Sequence, residues 1–165
     1  MDVYRSILKY NWGYDDFRGI QADIIRSIGE GRDTLGLMPT GGGKSICFQV
    51  PAISRYGMCL VITPLISLMR DQVRRIRDLG IKAEAIYSGM SHEDIVRILD
   101  NCILGDYKFL YLSPQDGYML NMIYILLCIN FFYNHKHIFL YLDLQKQGKY
   151  KNPYLNLLYN LCNAY

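Results

Sequence analysis

With 165 residues, 51% of them apolar, and 18 Lys+Arg set against 15 Asp+Glu, the chain has room for one domain with a respectable core but not for a complete two-lobed motor. The near balance of charge excludes a global basic field, so any nucleic-acid contact must be local. Five cysteines, Cys47, Cys59, Cys102, Cys128 and Cys162, show no CxxC or other metal spacing; this favours reduced thiols packed in a core and a cytoplasmic setting, and no charged leader with an apolar run opens the chain.

Taken in order, Tyr4, Ile7 and Leu8 at helical spacing predict a short first helix, and Asn11-Trp12-Gly13-Tyr14 predicts a turn after it. From Asp16 the residues Ile20, Ile24, Ile25 and Ile28 fall on one face of a second helix, which Gly29 and Gly31 stop. Phe17-Arg18-Gly19-Ile20-Gln21 places a guanidinium and a planar amide at its start, where the amide could read the two edges of an adenine. Taken alone, Gln and Arg on a helix are its solvated face.

Leu35 to Val50, LGLMPTGGGKSICFQV, is the most informative stretch. Thr34 to Met38 reads as a first strand, running into a glycine-rich turn and a helix that opens at Gly43-Lys44-Ser45. A triphosphate needs neutralising charge without bulk, and Gly41, Gly42 and Gly43 let backbone N–H groups close around its oxygens with no side chain in the way. Lys44 supplies a point charge between the β- and γ-phosphates, Ser45 would hold Mg²⁺, and the first helical amides add their positive dipole end. The strict phosphate-loop pattern has a glycine where Met38 stands; the bland alternative is a glycine turn with an incidental lysine.

Beyond it the chain alternates strand and helix. Met58 to Ile62 is a continuous apolar strand; Leu65, Leu68, Met69, Val73, Ile76 and Leu79 mark a long helix closed by Gly80, with Arg70, Arg74, Arg75 and Arg77 on its other face. Ala83 to Tyr87 is a third strand, Ser91 caps a helix with Asp94 at capping-box spacing, and Lys108 to Leu112 is a fourth strand. This order predicts an α/β fold with a parallel sheet, flanking helices, and ligands at the carboxyl ends of the strands. The turns at that edge, Thr63-Pro64-Leu65-Ile66-Ser67-Leu68, Ser88-Gly89 and Ser113-Pro114, offer hydroxyls and helix amides to the backbone of a nucleic-acid strand. Each alone is plain turn chemistry; their repetition along one edge favours a function.

Phe17-Arg18-x-x-Gln21, MPTGGGKS at 38 to 45, TPLISLMRDQV at 63 to 73 and YLSP at 111 to 114 together resemble the RecQ-type DNA helicases of superfamily 2, over residues 4 to 115. The resemblance implies part of a RecA-like ATP-binding lobe at 1–115, with ATP and Mg²⁺ as cofactors and single-stranded or forked DNA as partner. By that likeness Tyr14 and Arg18 flank the adenine, Gln21 hydrogen-bonds it, and Thr40 to Ser45 take the phosphates and Mg²⁺. Thr63, Pro64, Leu65 and Ser67, with Ser113 and Pro114, touch the translocating strand. Gly19 replaces a proline frequent after the family's Phe-Arg, and Pro114-Gln115-Asp116 stands where the family continues Pro-Glu-Arg.

There the resemblance stops. No Asp-Glu-Ala-His box, aromatic-rich loop or second lobe follows, and the only acid beyond Asp116 is Asp143, with no glutamate after it. Residues 116–165 hold 8 of the 15 tyrosines and no arginine or glutamate, and give no periodic reading; a frameshift or chimeric gene after codon 115 would produce such a tail. Tyr118 to Tyr133 is apolar but short for a bilayer span, so no membrane is expected, and His135-x-His137 lacks a third metal ligand. The expectation is a truncated helicase fragment that binds ATP without unwinding, cytoplasmic or nucleoid-associated. A stand-alone nucleotide-binding or regulatory module is the alternative; a small P-loop kinase leaves Phe-Arg-x-x-Gln unexplained.

Overall fold

Unbroken apolar runs form the sheet, because a strand covered on both faces has no polar side to show. The computed structural model describes residues 2–113 and 138–142. In chain order these are α1 (Asp2–Trp12), α2 (Gln21–Gly29), α3 (Lys44–Ile53), β1 (Met58–Ile62), α4 (Ile66–Asp78), β2 (Ala83–Ile86), α5 (His92–Leu104), β3 (Phe109–Leu112) and β4 (Ile138–Leu142). The sheet runs β2-β3-β1-β4 with every pair parallel, as strand-helix alternation requires.

Side chains alternate across it. Leu60 and Ile62 with Leu110 and Leu112 meet Ile98 and Cys102 of α5 on one face. Cys59, Val61, Phe109 and Tyr111 meet Phe48 of α3 and Met69, Val73 and Ile76 of α4 on the other. A further layer forms where Leu8 of α1 and Ile25 of α2 close on Val50 of α3. This sequence of layers leaves the amino end of α3 at the junction of the α1–α2 layer and the sheet. Ser91 caps α5 as its spacing predicts, its Oγ accepting from the Asp94 amide at 3.1 Å.

Two expectations need correction. Thr34–Met38 is not a strand: it makes no ladder among the described residues, and Leu35 and Leu37 are 77% and 80% exposed. A strand exists only through its partner, and the place beside β1 is taken by β4; Gly36 instead lies so close to Ile24 of α2 that a Cβ there would come within 2.9 Å of it. The second helix begins at Gln21 and not at Asp16, because Gly19 is left-handed at φ 52°, and Ile20 is consequently exposed. The tail, which gives no periodic reading, contributes one described strand: Ile138–Leu142 is β4, paired with β1 from Met58↔Ile138 to Ile62↔Leu142.

Among the described residues no helix is long and apolar enough to cross a membrane, and no group of three metal-ligating side chains occurs. Tyr118 to Tyr133, His135 and His137, Pro114 and Asp143 lie outside the described residues.

Candidate functional site

The glycine loop is shaped by two left-handed residues. Gly41 (φ 80°) and Gly43 (φ 76°) adopt a conformation that side chains oppose, and Gly42 between them donates its N–H to the Pro39 carbonyl at 3.1 Å, closing a tight turn. Gly43 is also the N-cap of α3, with no side chain to satisfy the helix amides behind it. Lys44 follows as the first helical residue. A cation at the positive end of a helix is unfavourable unless an anion joins it, and the first turn of α3 holds no acid. Among the described residues no carboxylate pairs with Lys44, and Lys44 and Ser45 are both half-buried in the first turn of α3, beside the helix amides that Gly43 leaves uncapped. Thr40 is exposed on the approach to this turn.

Gln21 does something the sequence reading did not foresee. Its side chain is 5% exposed, Oε1 accepts from the Arg18 amide at 2.8 Å, and Nε2 donates to the carbonyls of Gly42 and Gly43, each at 3.2 Å. One amide thus ties the turn before α2 to the glycine loop, 21 and 22 residues away. A Cβ on Gly43 would stand 2.4 Å from Gln21 Nε2, so the third glycine is required by this neighbour as well as by its backbone. Beside it the Arg18 guanidinium lies over the Tyr14 ring, 5.3 Å from the centroid, with both residues exposed. Tyr14, Arg18 and Gln21 are therefore brought to one place, next to the loop.

At the carboxyl edge of the sheet the expected residues divide. Leu65 and Ser67 are exposed at the amino end of α4, and Pro64 is half-buried. Thr63 and Ser113 are buried, 1% and 3% exposed, and the Ser113 hydroxyl has no hydrogen-bond partner among the described residues. An unsatisfied buried hydroxyl costs about 1–3 kcal/mol, and residues 114–137, which follow Ser113 directly, lie outside the described residues. A second buried polar contact joins this edge to the loop: Gln49 of α3 donates from Nε2 to the Tyr111 hydroxyl at 3.4 Å, two residues before Ser113.

Residues missed from the sequence are Gln49, which reads as part of an apolar helix, and the pair Arg70 and Tyr87, where Nη2 donates to the phenol oxygen at 2.9 Å. Only the parity of strand and helix positions could have signalled them. The buried thiols of Cys47 and Cys59 are pushed up to about 11 and about 12 by loss of water, so neither is a nucleophile at neutral pH.

Comparison with known proteins bears on the whole arrangement. A family model described as DEAD/DEAH box helicase matches residues 18–125. The chain is 45% identical over 112 residues to the ATP-dependent DNA helicase RecQ of Bacillus subtilis, a match covering 67% of this chain and 19% of that protein. It is 43% identical over 110 residues to the RecQ of Haemophilus influenzae, 67% and 18%. It is 37% identical over 117 residues to the ATP-dependent DNA helicase Q-like 4B of Arabidopsis thaliana, 70% and 10%. The chain spans about a fifth or less of the length of these relatives.

Proposed function

The chain belongs to the DEAD/DEAH box helicase family, and we propose that its body is the ATP-binding portion of a RecQ-like, ATP-dependent DNA helicase. The observation that carries this is Lys44, a cation without a carboxylate partner among the described residues, at the head of α3 behind a glycine loop that Gln21 holds from within. In this reading Gly41 to Ser45 take the phosphates, Ser45 takes Mg²⁺, and Tyr14 and Arg18 receive the adenine, while Gln21, its amide engaged with Arg18, Gly42 and Gly43, holds the loop beside them. The exposed amino end of α4, with Leu65 and Ser67, meets single-stranded or forked DNA, over Thr63 and Ser113.

The test is titration of the full chain with a fluorescent ATP analogue in Mg²⁺. Saturable binding is expected, weakened at least tenfold in Lys44→Ala and in Gly43→Ala, where the added Cβ displaces Gln21. Equal binding by Lys44→Ala and the parent would overturn the reading.

The same reading covers turnover. Hydrolysis needs one acid to hold Mg²⁺ and another to orient water, and residues 117–165 carry Asp143 as their single carboxylate, so these 165 residues by themselves are expected to bind ATP without DNA-stimulated hydrolysis. DNA-stimulated phosphate release by the chain would refute this; Asp143, which follows β4 in sequence, is then the first carboxylate to replace. A second reading, a stand-alone nucleotide-binding module, is favoured by β4, because the tail contributes a strand to the sheet. Limited proteolysis separates the two: a resistant body that includes residues 138–142 supports the module, and early loss of the tail supports the fragment.

A further inference from the structure

The carboxyl ends of the strands finish level with one another. Ile86 of β2 is opposite Leu112 of β3, and Leu112 is opposite Ile62 of β1. Tyr87, Ser113 and Thr63, which follow them, therefore form a row across the edge, with neighbouring backbones about 4.8 Å apart. Thr63 and Ser113 sit below the surface, whereas Tyr87 is half-buried, its ring resting on the core between sheet and α4.

Arg70 closes the row. It is exposed on α4, one turn after Ser67, and its guanidinium lies over the Tyr87 ring at 4.6 Å from the centroid while Nη2 donates to the phenol oxygen at 2.9 Å. Of the other arginines of this helix, Arg74 pairs with Asp71 at 3.4 Å and Arg77 with Glu84, while Arg75, like Arg70, is exposed. Among the described residues no carboxylate pairs with Arg70. Its charge is held in place by an aromatic face and left unneutralised, at the exposed end of the row.

We propose that Arg70 and Tyr87 form a contact for single-stranded DNA, the guanidinium, held over the tyrosine ring, taking a phosphate oxygen while the pair offers a surface on which a base can stack. Fixing a guanidinium on an aromatic ring removes rotamer freedom before the strand arrives, and the combination of a cation with a stacking surface suits binding that ignores sequence. This rests on the reading that the sheet edge meets DNA, and extends it from α4 to the end of β2.

The experiment is fluorescence anisotropy of a labelled oligothymidine with the full chain, at several salt concentrations. Arg70→Ala is expected to bind about tenfold more weakly, with the log–log salt slope reduced by about 0.7. Tyr87→Leu should lose about tenfold through stacking, and Tyr87→Phe, which keeps the ring but releases the guanidinium, about twofold. Binding of the ATP analogue should be unchanged in all three. Should Tyr87→Leu lose its cooperative thermal transition, the exposed Arg70→Ala and its salt slope decide alone. Parental affinity and slope in Arg70→Ala would overturn this contact and leave the DNA reading standing, whereas a parent chain that does not bind the oligonucleotide overturns both.

Discussion

The strands on either side of β1 are spelled alike. Phe109-Leu110-Tyr111-Leu112 of β3 recurs as Phe139-Leu140-Tyr141-Leu142 in β4, and both lie parallel to β1 in one register, with Phe109 and Phe139 each opposite Cys59. Their surroundings differ. β3 is laddered on both sides, to β1 and β2, and its four residues are completely buried; β4 is laddered to β1 alone among the described residues. The same tetrapeptide is thus a central strand in one place and a flank in the other. Position in the sheet, and not local propensity, sets what each contributes.

The largest expected effect tests that contrast directly. Leu110→Ala removes a fully buried side chain from the centre of the sheet and should cost about 3–4 kcal/mol in urea denaturation, enough to unfold much of a marginal domain. Leu140→Ala makes the same change at the matched position of β4 and should cost less than half as much. Equal losses would mean that β4 is as central to the fold as β3.

The next effect is read by hydrogen exchange. Amides of β1 that face β4 should be protected in the full chain and exchange at least tenfold faster when β4 is disrupted by Leu140→Pro, while the amides of β3 that face β2 keep their protection. Identical β1 protection in the two proteins would remove β4 from the cooperative sheet and restore the tail to the status its composition suggests.

How the two strands read in the sequence follows the same division. β3 is legible because it ends a regular alternation: a capped helix, Gly105, an apolar run, then Ser113-Pro114 at the spacing of the RecQ resemblance. β4 has an equally apolar run, but Tyr118 to Tyr133 before it supplies no helical period and no cap, so nothing announces a crossover. Thr34–Met38 fails for the opposite reason. It has the composition of a strand and the right successor in the glycine loop, yet pairing is a property of two segments, and one segment cannot reveal its partner's absence. In the site, Lys44 and the glycines are legible since their chemistry is local. The grip of Gln21 on Gly42 and Gly43 depends on a contact across 21 residues, and no spacing rule exposes it.

A third, smaller effect concerns Cys59, which stands between the two tetrapeptides. Its thiol is pushed up from 9.0 to about 12, first by burial, with the Lys108 charge opposing. The folded state therefore keeps a proton that the unfolded chain releases above pH 9. Stability should be level in this respect below pH 9 and fall as pH rises from about 9 toward 12, since over that window the unfolded state binds fewer protons. Cys59→Ala should lower stability at pH 7 but flatten the alkaline decline in urea midpoints. An unchanged slope would show that Cys59 reaches water, as it would if β4 did not cover β1.

The smallest effect compares a single oxygen at matched positions. The Tyr111 hydroxyl accepts from Gln49 of α3, so Tyr111→Phe leaves a buried amide donor without that acceptor and should cost about 1 kcal/mol. Tyr141→Phe, the same change in the same register of β4, is the comparison, and equal costs would mean that the Gln49 contact is not what Tyr111→Phe loses. The pair also separates packing from coupling. Gln49 lies five residues after Lys44 on α3, and Tyr111 two residues before Ser113, so this contact joins the helix behind the glycine loop to the strand that ends at the proposed DNA edge. If it transmits anything, Tyr111→Phe will reduce the change in oligonucleotide affinity that the ATP analogue produces, and Tyr141→Phe will not. A loss of stability without a change in that linkage would leave Gln49 and Tyr111 as core packing, and would assign communication between the two sites to the surface instead.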